Sequence, residues 1–540
     1  MRADDDRRRA APSTAIAPLL WAGALLAVAW FPPAVSTVPA LAILRGPLGA
    51  ALAAVAAVLG AARLLGRRRP GLRGRPGAPS RAVAFGVPLA LYLAAGLWYS
   101  TRLRVSGDEP HYLLMAQSLW REGDLDLRDN LAREDWREYT PGPIGEHYGA
   151  PRQDGRPYPA HSVGLPWLLA PAYAAGGRLA CVVVLAVAGA ALVALVLSLA
   201  LRLGVPPPAA WLAWTATLGP PVFFYSFHVY TEVVSALALY GGIGLLTGGP
   251  SAVGAAAAGL LAGALPWLHV KMIAASVVPG LVALRRLRGR ALAAFAGAAG
   301  LLAIGYVAYL EHVFGRPTPL AIYGGAPAQM SGSPAAALAG LFLDRSFGLF
   351  PHAPVFLVGL AGLAQLWRRR RDTWPLLLAA AVVLAPVLPW RMWWGGQSPP
   401  ARFVVPLVPV LAIAAALRLA ESERGLARWA WPLASLGLVL AVFATARPGA
   451  LLLLNRGDRP TRLWAALSGD LPVERYLPSL VRGTPEEWRV AAIWMVALLF
   501  LVALDRLALR RDPLDRLFRG LGLPLCVLLA ASALVDYWAR

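Results

Sequence analysis

The chain has 540 residues, 58% of them hydrophobic and only 15% charged, with a mean hydropathy of +0.56. Soluble domains carry about 25% charged residues, so an ordinary soluble fold is excluded and a polytopic membrane protein is the class that remains. The formal net charge of +22 does not imply a nucleic-acid partner, because the arginines cluster between apolar runs: Arg67 to Arg69, Arg285-Arg286, Arg368 to Arg371 and Arg510-Arg511. That distribution is the one expected of linkers on the cytoplasmic side of a membrane. In lipid every backbone polar group must be paired internally, which leaves helices or closed barrels. The runs here are continuous rather than alternating, and an all-α polytopic membrane protein follows.

Residues 1–9 are charged and precede an apolar run near 14–31. A cleaved signal peptide is one reading. An uncleaved first span is preferred, because the next run leads directly back to a basic, Gly- and Pro-rich linker at 66–81. Spans are expected near 14–31, 44–65, 81–100, 179–201, 209–225, 229–247, 252–268, 270–284, 291–313, 351–367, 374–390, 403–419, 429–447, 490–504 and 521–538. Small residues dominate 251–265 and 291–303, a composition that suits close helix packing in lipid. Cys181 and Cys526 both fall in apolar runs without metal-ligand spacing, and are read as packing residues.

With basic linkers on the cytoplasmic side, four polar segments lie outside: 101–178, 314–350, 390–402 and 448–489. In the first, Tyr112 to Glu122 has the apolar spacing of an interfacial helix. Asp154-Gly155, between Tyr148 and Tyr158, predicts a hairpin turn. Leu165 to Ala175 is too short to span, which predicts a re-entrant or membrane-parallel helix. In segment 448–489, Trp464, Tyr476 and Trp488 are expected as headgroup-level anchors. Three regions result: an N-terminal part at 1–80, a membrane core at 81–420, and C-terminal spans at 421–540.

Four constellations can carry chemistry. Asp108-Glu109, with His111 close behind, opens the first polar segment at one membrane face. An ionised carboxylate there can take a proton from a hydroxyl. Asp108 also fits a helix N-cap with Glu109 and Pro110 in the first turn, and the two readings are compatible. Lys271, inside the apolar stretch Leu265 to Met272, is the chain's single lysine among 51 basic residues. Snorkelling to the interface is the plain account, and binding a phosphate or carboxylate the preferred one. Glu232, after Tyr230-Thr231, either pairs with Lys271 or touches a ligand hydroxyl. Arg402 and Arg391 lie in the Trp-rich segment Trp390 to Phe403, on the face where basic residues are scarce. Arg402 can hold a phosphate through a forked pair of hydrogen bonds. Arg345 and His352 are further external candidates, with loop-structuring as the alternative.

With these residues in view, the chain resembles the GT-C glycosyltransferases, the superfamily of protein O-mannosyltransferases and lipid A aminoarabinose transferases. Gly107-Asp108-Glu109-Pro110-His111-Tyr112 is similar to the family's acidic pair at the head of an interfacial helix. His161-Ser162-Val163-Gly164-Leu165-Pro166 resembles its His-Pro-Pro-Leu element, with Ser162 and Val163 in place of the prolines. Tyr230-Thr231-Glu232 and Lys271 also stand where members carry an acid and a lysine. The resemblance covers roughly 81–420, and the first two spans are additional to it.

The resemblance implies a GT-C-like bundle of about 13–15 transmembrane helices, with interfacial helices in the first external loop. It implies transfer of a sugar from a polyprenyl-phosphate donor to a lipid, polysaccharide or protein acceptor on the external face of the cell membrane, with inversion at the anomeric carbon. Asp108 would be the general base, Glu109 and His111 would position it or the acceptor, and His161 would be a substrate-binding residue. Lys271 and Arg402 would neutralise the departing phosphate, and Glu232 would contact the sugar. No cofactor is certain, and a divalent cation is the one candidate. The family is divided on divalent cations, and the sequence shows no dedicated ligand set. Asp108 and Glu109 are the groups that would hold one through waters. The competing class is a multi-pass transporter or lipid flippase.

Overall fold

Long apolar runs become helices, and a computed structural model of the chain places them with their polar ends sorted. It describes residues 27–68, 80–105, 107–140, 142–249, 251–324, 329–447, 453–457, 459–511 and 522–538, together with Asp515 and Phe518. The expected span near 14–31 lies mostly outside the described residues. Among the described residues there is no sheet, only isolated bridges at Tyr148–Pro159 and Ser398–Asn455.

The helices that frame the site are α1 (Arg81–Arg102), α2 (Glu109–Arg121), α3 (Gly164–Arg202), α4 (Glu232–Thr247), α5 (Ala252–Leu268), α6 (Ile273–Arg286), α7 (Gly289–Phe314), α8 (Phe356–Arg368), α9 (Arg370–Leu384) and α10 (Val408–Glu421). The C-terminal part adds α11 (Ala430–Ala446), α12 (Pro485–Ala508) and α13 (Gly522–Trp538). Six described helices are long and apolar enough to cross a membrane, or seven if the bent pair at Pro39–Ala57 counts as one span. Several expected spans are shorter apolar helices, among them α4, α5 and α8. Pro334–Leu343 is an apolar helix inside a segment that was expected to be an external loop.

The chain alternates between two ends. One gathers the arginine linkers: Arg369 Nη1 donates to the Leu203 carbonyl (3.1 Å), Arg286 Nη1 to that of Thr247 (3.4 Å), and Arg368 pairs with Glu421 (3.0 Å). The other end gathers the C-terminus of α1, both termini of the α2 loop, the N-terminus of α4, the α5–α6 turn and residues 390–402. Arg402–Glu421 is the central element, 83% of its apolar window being buried, whereas Gly289–Phe314 at 6% faces outward. Gly259 and Gly263 let α5 lie against α7, since a Cβ at Gly263 would meet Leu302 Cβ at 2.8 Å and the Ala299 carbonyl at 3.0 Å.

The first polar segment folds as its sequence predicts. Gly149 N–H donates to the Tyr158 carbonyl (2.8 Å) and Arg152 N–H to that of Arg156 (2.8 Å), closing a hairpin with Gly155 at φ +79°. The leg from Gly164 ends where Gly176 and Gly177 leave helical geometry, and the chain then turns into the span proper. The 448–489 segment differs from expectation. Trp464 and Tyr476 are buried in protein, not set at headgroup level. Their polar atoms find internal partners: Trp464 Nε1 donates to the Arg345 carbonyl (2.6 Å) and Tyr476 OH to Asp536 (3.0 Å).

Candidate active site

The first turn of α2 carries both halves of the acidic pair and sends them in different directions. Glu109 is fully buried; its Oε1 accepts from Val229 N–H (2.9 Å) and its Oε2 from Tyr99 OH (3.1 Å). It fastens α2 to α1 and to the segment before α4. Asp108 occupies the N-cap position, but its carboxylate caps nothing. Its Oδ2 lies 2.7 Å from Arg402 Nη2. The turn depends on Gly107, at φ +66°, where a Cβ would collide with the Gln397 carbonyl and the Tyr230 hydroxyl. That hydroxyl accepts from Asp108 N–H (3.3 Å) and donates to Gln397 (3.1 Å).

Arg402 is the hub. It is nearly fully buried; Nη2 meets Asp108, Nε meets Glu232 Oε1 (2.8 Å), and Nη1 donates to the Gly395 carbonyl (2.8 Å). Its guanidinium lies 4.5 Å from the Tyr230 ring centre. Only a planar fork reaches three such acceptors at once, and a lysine here would not. Glu232 therefore pairs with Arg402, not with Lys271 as one expectation had it. Its second oxygen, Oε2, and the Ser235 hydroxyl are buried with no hydrogen-bond partner among the described residues.

Lys271 sits in the tight turn Val270–Met272 between α5 and α6, its N–H donating to His269 Nδ1 (3.3 Å). Its ammonium lies 2.8 Å from the Phe403 ring centre, and among the described residues it forms no ion pair. Thr231, Glu232, Ser235, His269, Lys271 and Phe403 help line a cavity of about 30 Å³, room for a water or two. This is a small, mostly apolar pocket at the head of the central helix, with a buried cation on one wall and, on another, oxygens that have no hydrogen-bond partner among the described residues.

Beside Asp108 three histidines converge from three segments: His111 on α2, and His147 and His161 brought together by the hairpin, in which Ala160 N–H donates to the His147 carbonyl (3.0 Å). His161 Nε2 and His147 Nδ1 are 3.0 Å apart, and one ligand atom from each of the three lies within 4.8 Å of the others. Imidazole suits zinc-class cations at about 2.0–2.1 Å, so these residues fit a divalent metal. Asp108 and Glu109 do not form a cation site together, because Glu109 points away with both oxygens engaged. Burial depresses His161 to about 3, and burial together with His147 depresses His111 to about 4. Burial alone would raise Asp108; the adjacent Arg402 outweighs it and holds the carboxyl at about 2.

Arg345 and His352 belong to a different network. Arg345 lies 3.6 Å from Glu487, and its Nη1 donates to the Glu474 carbonyl (3.3 Å). His352 bonds the Gly348 carbonyl through Nδ1 (2.9 Å) and meets the Trp464 ring at a tilt, 5.3 Å between centres. Neither touches the Asp108–Arg402–Glu232 cluster, and both hold the C-terminal loop to the core. His147 and Tyr230 join the cluster without having been proposed as ligands. The hairpin was readable and gave the signal for His147, since closing it sets residue 147 across from residue 160.

No family model and no curated protein matches this chain. Among solved structures it is similar to ArnT from Cupriavidus metallidurans bound to undecaprenyl phosphate, at 16% identity, covering 84% of this chain and 77% of that one with a TM-score of 0.41. It is also similar to the apo oligosaccharyltransferase of Archaeoglobus fulgidus, at 13% identity, covering 73% and 57% with a TM-score of 0.37. Both are GT-C glycosyltransferases.

Proposed function

We propose that this protein is a GT-C-type glycosyltransferase that moves a sugar from a polyprenyl-phosphate donor to a cell-envelope acceptor on the external face of the membrane. The observation that carries the reading is the Arg402 bridge between Asp108 and Glu232, with the ammonium of Lys271, which has no ion pair among the described residues, in the adjoining cavity. Two cations and two carboxylates gathered at the end opposite the arginine linkers suit a reaction in which a hydroxyl is deprotonated and a phosphate departs.

The acceptor hydroxyl attacks the anomeric carbon from the face opposite the phosphate, and the configuration inverts. Its proton passes to Asp108, and the electron pair of the breaking carbon–oxygen bond leaves on the phosphate. Lys271 and Arg402 stabilise the charge that builds there. Glu232 Oε2 and Ser235 Oγ, left without partners, hydrogen-bond the sugar.

In the resting state Arg402 makes Asp108 a weak base, since it holds the carboxyl at about 2. A donor phosphate competes for the same guanidinium. As Arg402 turns toward it, Asp108 loses its counter-charge and gains basicity. Base strength then rises only when donor is bound. Glu109 acts as a positioning residue that holds the first turn of α2. His111, His147 and His161 would hold a divalent cation, whose contribution when bound would be Lewis-acid polarisation of an oxygen.

Mass analysis of envelope glycans from cells with and without the protein tests this reading. One sugar modification should vanish in its absence and return with the wild-type chain but not with Asp108→Asn. A glycan profile indifferent to the protein would refute it.

A further inference from the structure

A second cavity, of about 550 Å³, lies at the same end of the molecule and takes no part in the mechanism above. Its volume is that of an ordinary ligand pocket, about 300–1,000 Å³. Arg102, Arg104, Arg137 and Arg178 line it, with Glu138 and Tyr173. The charges do not cancel. Glu138 is committed to Arg121 (2.5 Å) and to Tyr173 OH (2.5 Å), and Arg137 to Glu134 (2.5 Å). Among the described residues Arg102, Arg104 and Arg178 have no carboxylate partner.

Arg178 is the most informative of them. It follows the break at Gly176–Gly177, which bends the chain and opens the cavity. Its Nη1 donates to the carbonyls of Ser100 (3.2 Å) and Leu103 (3.0 Å), whereas Nε and Nη2 are buried with no hydrogen-bond partner among the described residues. A buried guanidinium edge without acceptors is costly unless an anion completes it. Phosphate, with several oxygens to offer a planar fork, is the anion that suits it best. Next to the cavity, the outward faces of the two membrane helices present Leu97 and Trp98 on one side and Leu179 and Val183 on the other, each 38–47% exposed. Arg102 rests on the Trp98 ring at 3.6 Å.

We propose that this cavity binds the phosphate headgroup of an anionic membrane lipid, with the acyl chains running along Leu97, Trp98, Leu179 and Val183. Charge complementarity at the head and exposed apolar side chains beneath it fit a lipid on both counts. The site is distinct from the Arg402 cluster and does not depend on sugar transfer being the reaction. One ring connects it to the start of α2: Arg178 lies 5.3 Å from the centre of Tyr99, which bonds Glu109, the chain neighbour of Asp108.

Native mass spectrometry of the full-length protein released from mixed phosphatidylglycerol–phosphatidylcholine nanodiscs tests the proposal. Phosphatidylglycerol should be retained over phosphatidylcholine by about tenfold, or roughly 1.4 kcal/mol. Arg178→Gln should abolish most of that preference, and Arg104→Gln, at an exposed side chain, should reduce it without touching the fold. Equal retention of the two lipids, or an unchanged preference in Arg104→Gln and any folded Arg178→Gln, would overturn it. Displacement of the lipid by millimolar inorganic phosphate would also overturn it, showing that the cavity selects the free anion.

Discussion

Lys271→Met separates a ligand-binding cation from a structural one by the sign of its effect on stability. Lys271 is buried over Phe403 and has no ion pair among the described residues. Keeping an ammonium within the membrane costs about 2.5–3.5 kcal/mol on insertion scales, and the ring face returns about 0.5–2 kcal/mol. Methionine keeps the length and the apolar stem while removing the charge, so the free protein should unfold at the same or a higher temperature. The donor complex should weaken. Truncating one partner of a buried charge pair costs about 2–5 kcal/mol, which at the lower limit is about thirtyfold in affinity. Thermal unfolding and donor titration on the same nanodisc preparation read both effects. A fall in melting temperature with unchanged donor affinity would show that Lys271 holds the fold, and the phosphate role would be lost.

Asp108→Asn should lower turnover about 10²- to 10⁴-fold and, because no carboxylate then competes for Arg402, should leave the donor KM unchanged or lower; near-normal turnover would remove the base. The same variant carries a pH signature. The folded carboxyl is depressed from 3.8 to about 2, so its ion-pair stabilisation of about 2 kcal/mol is complete above pH 4 and lost as pH falls toward 2. The stability gap between wild type and Asp108→Asn in denaturation curves should therefore be constant from pH 5 to 8 and narrow below 4; a gap that closes between 5 and 8 would contradict it. Glu109→Gln leaves a buried donor unsatisfied and should cost about 1–3 kcal/mol of stability, while turnover per folded molecule stays near wild type. A collapse of turnover with an intact melting temperature would place Glu109 in the chemistry instead. Gly107→Ala forces a strained φ and displaces the seat of Asp108, and a shift of about 1 Å can cost 10²-fold in rate. Unchanged steady-state rates would show that the turn is dispensable.

Much of the fold was legible because hydropathy and arginine placement are one-dimensional signals. Continuous apolar runs gave the helices, and Asp154-Gly155 gave the hairpin. The site was legible in its parts, since Asp108, Glu232, Lys271 and Arg402 are charges that a membrane chain would otherwise avoid. Their pairing was not legible. Whether Glu232 meets Lys271 or Arg402 depends on how three segments cross at the head of the bundle, and sequence spacing does not encode that. The divergence of Asp108 and Glu109 has the same origin, because adjacent residues in a helix's first turn face different neighbours. Trp464 misled for a related reason. A tryptophan at a span's end reads as an interfacial anchor, yet here the loop folds back and its indole N–H serves a buried carbonyl. The arginine-lined cavity is not legible in the sequence, because Arg178 lies more than 70 residues beyond Arg102 and Arg104 and all three look like ordinary span ends.

The most direct measurement supplies the purified protein, in nanodiscs, with a polyprenyl-phosphate-linked sugar and an envelope extract as acceptor, and follows the lipid by mass spectrometry. Free polyprenyl phosphate should accumulate in step with sugar on the acceptor, and Asp108→Asn should stop both. A donor that crosses the bilayer chemically intact, or that stays whole while every candidate acceptor is present, would contradict the account.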